Sequence, residues 1–341
     1  MTEQSSTVED PIDLMTTTVE VTQQTATGSG MTSSSSRGVD FYFQCAVVVI
    51  GVVGTIANAL IIYALVASKQ YKKHLLIINQ NALDLVGSVF LVITYTAKLC
   101  DIPLTGTRGY WLCATILSEA FVWWGILGSK IGLAIITIDR YIKIVTKKKL
   151  RKWMIYLAMV LSWSISLIYT LTVNFTATAV INGVCLAAVI WKNQAVKMAH
   201  GIWNFMSFYV IILSITVFCY ARILIVIRRQ AKVMASHNIS QAQSAESHKI
   251  QVNVIKTMII VSAFYAITNF PVDFYFLLAN VAENISLLAF GYYASVIIVF
   301  LYSCANPVIY ATQFDPVKRE LLSLIRCKKN SVAASQGTGA T

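Results

Sequence analysis

The chain has 341 residues, 57% of them apolar and 12% charged, with a mean hydropathy of +0.66. That composition excludes a pair of soluble domains, the usual reading of this length, and marks a membrane protein. A formal net charge of +12 would suggest nucleic-acid binding in a soluble chain, but the basic residues here sit in short segments between apolar runs, so no nucleic-acid partner is expected.

Residues 1–40 hold 16 Ser or Thr, and six acids against the single Arg37. Such a segment cannot bury a core and is expected to be a disordered tail, either an O-glycosylated stalk or a ligand-capturing arm. It contains no apolar stretch long enough for a cleaved signal peptide, so the first span is expected to act as its own insertion signal.

A helix crosses about 30 Å of hydrocarbon with roughly 20 apolar residues, and seven such stretches follow. They are residues 41–68; 75–97, with Asp84 inside; about 112–141, with Glu119 and Lys130 inside; a charge-free stretch from 153 to 191; 198–221; 257–282, with Asp273 inside; and 284–314. The fourth stretch is too long for one span, so its part from about Asn174 onward reads as an apolar loop. Residues 316–326 read as an amphipathic helix, apolar at Leu321, Leu322, Leu324 and Ile325 and basic at Lys318, Arg319 and Arg326, lying on the inner membrane surface against lipid. The predicted fold class is therefore an all-α membrane protein, a seven-transmembrane helix bundle with a short amphipathic helix. Its domains are the tail 1–40, the bundle 41–312, the juxtamembrane helix 313–327 and a tail 328–341 carrying Ser331, Ser335 and Thr338 as candidate phosphorylation sites.

Lys and Arg concentrate in alternate loops, around Lys72, Lys148, Arg228 and Arg319, and the excess of basic residues marks the cytoplasmic side. The N-terminus is then outside and the C-terminus in the cytosol. Cys113 and Cys185 both face the oxidising side and are expected to pair, leaving Cys100 as an odd thiol there. Cys327 is a candidate for palmitoylation, and the sequons at Asn174 and Asn284 are candidates for glycosylation.

Polar residues within spans are costly and mark function. Asn58, Asp84, Asp139-Arg140-Tyr141, Trp163, Tyr220, Pro271 and Asn306-Pro307-Val308-Ile309-Tyr310 fall one or more to each successive span. With these residues in this order, the chain over about 41–327 resembles the rhodopsin-like G-protein-coupled receptors, a plasma-membrane family. The resemblance implies that Asp84 holds a sodium ion with Ser129 and Asn306. It implies that Asp139 restrains Arg140 at rest, and that Arg140 meets a heterotrimeric G protein when span six swings outward. Tyr220 and Tyr310 then turn inward, while Pro271 and Pro307 supply the bends. A receptor kinase and arrestin are further implied partners, besides an extracellular ligand.

Several positions depart from the family pattern. Span six reads Thr268-Asn269-Phe270-Pro271 where a tryptophan usually stands, and span five has Ile212 where a proline is usual. Cys113 lies two residues farther from Arg140 than the norm, and Gln251 replaces the acid that many members pair with the arginine of span three, which predicts raised basal signalling. Lys130 stands where an aliphatic residue is usual and must find a partner: Asp273 or Asp84 within the bundle, an anionic ligand, or water reached by snorkelling.

The position that would carry an amine-binding aspartate is Val122, and no Lys lies between Thr257 and Val317 to carry retinal. A peptide or a small polar or lipid ligand remains, with Glu119, Val122, Trp123, Asn269, Asp273 and Tyr293 as candidate contacts. The competing reading is a seven-span channel or transporter using Asp84, Lys130 and Asp273. It is disfavoured by the absence of an inverted repeat. No metal-spaced His or Cys cluster and no nucleophile motif points to an enzyme or a cofactor.

Overall fold

The computed structural model describes residues 32–72, 74–100, 102–187, 193–236, 242–282, 289–313 and 317–323. The chain divides into two units, Met1–Ala46 and Val47–Thr341. Residues 1–31, Asn284, Cys327 and residues 324–341 lie outside the described set.

Hydrocarbon offers the backbone no hydrogen-bond partner, so apolar stretches of this length must satisfy their own amides, and helices do so. Among the described residues seven helices are long and apolar enough to cross a membrane. Their outer faces carry exposed Val52, Ile56, Val160, Ile168, Val217 and Phe218. Apolar residues in such number would drive aggregation in water but match a lipid surround. Span one is Thr32–Ala67, so residues 32–40, expected to be part of the tail, are helical. Span two is Leu75–Leu99.

Span three, Gly106–Val145, is composite. A short helix Gly106–Leu112 leads into a π-helical turn, Cys113–Leu117, and the regular helix resumes at Ala120. Glu119 sits at the break with φ of +65°, a left-handed conformation that non-glycine residues seldom adopt. A π turn holds more residues per turn than an α turn, and together with the break it absorbs the two extra residues between Cys113 and Arg140. Span three is also the hub: two thirds of its most apolar window is buried, 67% against 17% in span four.

Span four is Lys152–Ala177. The helix carries on through Asn174, whose Nδ2 donates to the Thr170 carbonyl at 2.8 Å, so the expected loop begins later than read. Beyond it lies a hairpin the sequence analysis did not foresee, β1 (Thr178–Ile181) paired antiparallel with β2 (Val184–Ala187). Its turn is Asn182-Gly183, both with positive φ. That dipeptide favours the two-residue turn whose twist matches the strands. Cys185 on β2 forms the expected disulfide with Cys113, tying the hairpin to the π turn.

Span five begins at Gln194, passes through a π-helical turn, Met206–Val210, and continues as a regular helix to Ser236. The π turn sits directly before Ile212, where the usual proline is missing. Span six is Ala242–Val281 and span seven Ala289–Gln313, with Pro271 and Pro307 inside them. Residues 317–323 form the start of the amphipathic helix, with Val317 buried against the bundle core.

Spans two and three approach most closely where glycine faces glycine. A Cβ on Gly125 would lie 2.6 Å from Gly87 Cα and 2.8 Å from the Leu83 carbonyl. Small residues permit this backbone contact. Gly125→Val should therefore force the two spans apart and cost ~1–3 kcal/mol, read as a lower melting midpoint of detergent-purified protein; an unchanged midpoint would refute the close approach.

Candidate functional site

Three buried polar clusters lie along span three, and they contain most of the residues singled out in the sequence. At its Arg140 end, Asp139 is 2% exposed and its Oδ2 accepts from Lys143 Nζ at 2.6 Å. This corrects the expectation that Asp139 restrains Arg140. Residues four apart share a helix face, so Lys143 reaches the carboxylate more directly than the neighbouring arginine can. Among the described residues Arg140 forms no ion pair, and its Nε finds no acceptor. Tyr141 packs its ring 6.0 Å from that of Phe218 in span five. Tyr220 and Tyr310 are already buried inside the bundle. The Tyr220 hydroxyl lies 3.3 Å from Thr137 Oγ1, and Tyr310 donates to Gln80 Oε1 at 3.2 Å.

The second cluster centres on Asp84, 1% exposed. Its Oδ2 accepts from Asn306 Nδ2 at 2.9 Å, and Ser129 and Tyr302 face the same group. Asp84 Oδ1, Ser129 Oγ, Asn306 Oδ1 and the Tyr302 hydroxyl are buried without a hydrogen-bond partner. One carboxylate among neutral oxygens is a donor set suited to a hard cation, since a buried carboxylate needs a counter-charge or a proton. The residues thus fit the sodium ion that the sequence pattern implies. Tyr302 was not singled out from sequence, although it stands one helical turn from Asn306 on the same face.

The third cluster is the ion pair between spans three and six. Lys130 Nζ lies 3.0 and 2.9 Å from the two carboxylate oxygens of Asp273, with side-chain exposures of 1% and 7%. Of the partners left open for Lys130, the bundle supplies Asp273. Asn269, one turn before Asp273, is fully buried; its Nδ2 donates to the Tyr265 carbonyl and Thr268 Oγ1, while its Oδ1 is unpartnered.

The remaining ligand candidates lie toward the Cys113 end. Glu119 Oε1 accepts from Tyr95 OH at 2.8 Å and from Lys98 Nζ at 2.5 Å. The half-buried Trp123 ring stands 6.3 Å from Phe300, which in turn meets Tyr95 at 6.2 Å. Glu119, Tyr95 and Trp123 therefore share one region between spans two, three and seven. Tyr293 sits on span seven with its ring 5.8 Å from Tyr292. Val122 is 1% exposed and its backbone carbonyl faces Gly87. Tyr95 and Lys98 escaped the sequence analysis because nothing in their spacing announces a carboxylate 21 or 24 residues away. Two further positions tie the frame: Asn58 Nδ2 donates to the Ser303 carbonyl at 3.0 Å, and Trp163 Nε1 to Asn79 Oδ1 at 2.8 Å.

Comparison with known proteins agrees with this geometry. Residues 57–310 match the family model described as 7 transmembrane receptor (rhodopsin family). The C-C chemokine receptor type 8 of Mus musculus is 24% identical over 315 residues, 85% of this chain and 81% of that protein. The galanin receptor type 1 of Rattus norvegicus is 24% identical over 287 residues, 81% of this chain and 79% of its own. Squid rhodopsin shares the fold with a TM-score of 0.71 at 17% identity, over 85% of this chain and 86% of that one.

Removing one member of a buried ion pair strands the other charge. Lys130→Met should lower stability by about 3–5 kcal/mol and reduce the amount of protein reaching the cell surface. Wild-type abundance and melting midpoint in that variant would show that the pair does not carry this load.

Proposed function

From the premise that this chain belongs to the rhodopsin family of seven-transmembrane receptors, we propose that it carries binding of an extracellular ligand to a cytosolic G protein through outward movement of span six. The observation that carries the reading is the Asp139-Arg140-Tyr141 end of span three. Arg140 is half-buried there, with its neighbouring acid engaged by Lys143, which leaves a guanidinium to offer a partner's backbone carbonyls. Span six contains Pro271, whose missing N–H weakens the helix at a point where it can bend. Under this reading the protein sits in the plasma membrane with its N-terminus outside and its basic loops inside.

The ligand class favoured is a peptide. Of the classes left open by the sequence, it is the one that the names of a chemokine receptor and a galanin receptor support. Glu119, Trp123 and Tyr293 line the region toward the disulfide-tethered hairpin, where a ligand from outside would arrive. Glu119 would serve a cationic group by exchanging Lys98 for it, since a carboxylate so little exposed (6%) needs a cation at all times. The channel alternative lacks support, because Lys130 and Asp273 neutralise one another instead of lining a path.

We also assign Asp84, Ser129 and Asn306 to a sodium ion, with Tyr302 as an added oxygen. Sodium supplies the counter-charge, and these residues hold the resting packing of spans two, three and seven around it. Replacing choline chloride by sodium chloride should raise the melting midpoint of the wild type by binding the native state. Asp84→Asn should lose that increment; a sodium-insensitive wild type would rule the assignment out.

Position 251 of span six is Gln where an acid would pair with the arginine, and Asp139 is engaged by Lys143, so ligand-free signalling should be measurable. In cells at matched surface expression, Arg140→Ala should abolish coupling across a panel of G proteins. Gln251→Glu should lower basal coupling by about fivefold, equivalent to ~1 kcal/mol. Equal signalling from wild type and Arg140→Ala would overturn the coupling role.

A further inference from the structure

We propose that the Lys130–Asp273 ion pair is the lock that holds this chain at rest, in place of a contact between spans three and six at the Arg140 end. Three observations converge on it. First, among the described residues Arg140 forms no ion pair: Asp139 is held within its own helix by Lys143, and residue 251 of span six is Gln. Second, the pair spans the two helices whose relative movement matters, with both carboxylate oxygens of Asp273 engaged and both side chains almost fully buried. Third, its place in span six is two residues beyond Pro271, whose missing N–H weakens that helix locally.

The physical argument follows from the surroundings. A charge pair inside a bundle cannot exchange its partner for water, so separating it leaves two unsolvated charges. Rotation of span six about its own axis would carry Asp273 away from Lys130 on the hub helix, so the pair opposes that rotation. Tyr169, Tyr209 and Tyr265 stand around Asp273, and the Tyr265 hydroxyl donates to the Phe208 carbonyl at 2.6 Å, in the π turn of span five. Spans three, five and six are thereby joined at one level, and the usual tryptophan of span six is replaced by the small polar Asn269. The lock rests on the receptor reading for the movement of span six and for its signalling readout, while the distance measurement stands apart from both.

The test uses full-length protein with Lys130→Met/Asp273→Leu, which removes both charges and so avoids a stranded one, and with Lys130→Arg, which keeps the pair. At matched surface expression the apolar double variant should signal without ligand at least about threefold above wild type, and Lys130→Arg should stay at the wild-type level. In parallel, spin labels at Thr146→Cys and Lys256→Cys, with the native free cysteines replaced, report the separation of spans three and six in purified protein. The wild type should give one short distance, and the apolar double variant should add a longer population. Wild-type signalling together with a wild-type distance distribution in the double variant would overturn the lock. A longer distance in a set of variants that all remain silent would uphold the lock and count against G-protein coupling instead.

Discussion

Everything in this bundle depends on the scarcity of water between its helices. Outside a membrane, Asp84, Asp139, Lys130 and Asp273 would each be solvated and interchangeable; inside, each must be satisfied by what the neighbouring helices present. The result is a set of short-range solutions strung along span three. One carboxylate takes a lysine of its own helix, one takes an asparagine of span seven, and one, on span six, takes the lysine of span three. Each solution constrains a different motion. The first moves with its helix and restrains nothing, the second ties span seven to span two, and the third ties span six to the hub.

The architecture was legible because a long apolar run has few alternatives in lipid. All seven spans were found from length and charge alone, and the Cys113–Cys185 bond from the side of the membrane each residue faces. What the sequence obscured was local geometry. The loop after span four hid a hairpin although Asn182-Gly183 advertises one, since the apolar residues on both sides masked the turn. The stretch from 153 to 191 is too long for one span, which put the loop start near Asn174, yet that side chain turns back onto the Thr170 carbonyl and the helix continues.

Site residues were legible where a motif fixes their identity and illegible where only three-dimensional packing does. Lys130 announced itself as a charge in need of a partner, and Asp273 was among the candidates. Lys143 was visible as an i, i+4 neighbour of Asp139, but the family pattern drew attention to Arg140 instead. The two departures noted in the sequence, the extra residues after Cys113 and the absent proline of span five, have a common structural answer. Both places hold a π-helical turn, so an irregularity that other chains obtain from a proline is obtained here from a change of helical pitch.

The contact between Gly87 and Gly125 fixes more than helix packing. Asp84 lies one turn before Gly87 and Ser129 one turn after Gly125, so the gap between the carboxylate and the hydroxyl is set by main chain against main chain. Side chains relax by rotating, but backbones in contact do not. If Asp84 holds a cation as proposed, ions of different radius would be told apart there by the spacing that the two glycines set as well as by the oxygens around it. The spacing would then act as a gauge, and widening it would relax the choice of ion while every donor residue is retained.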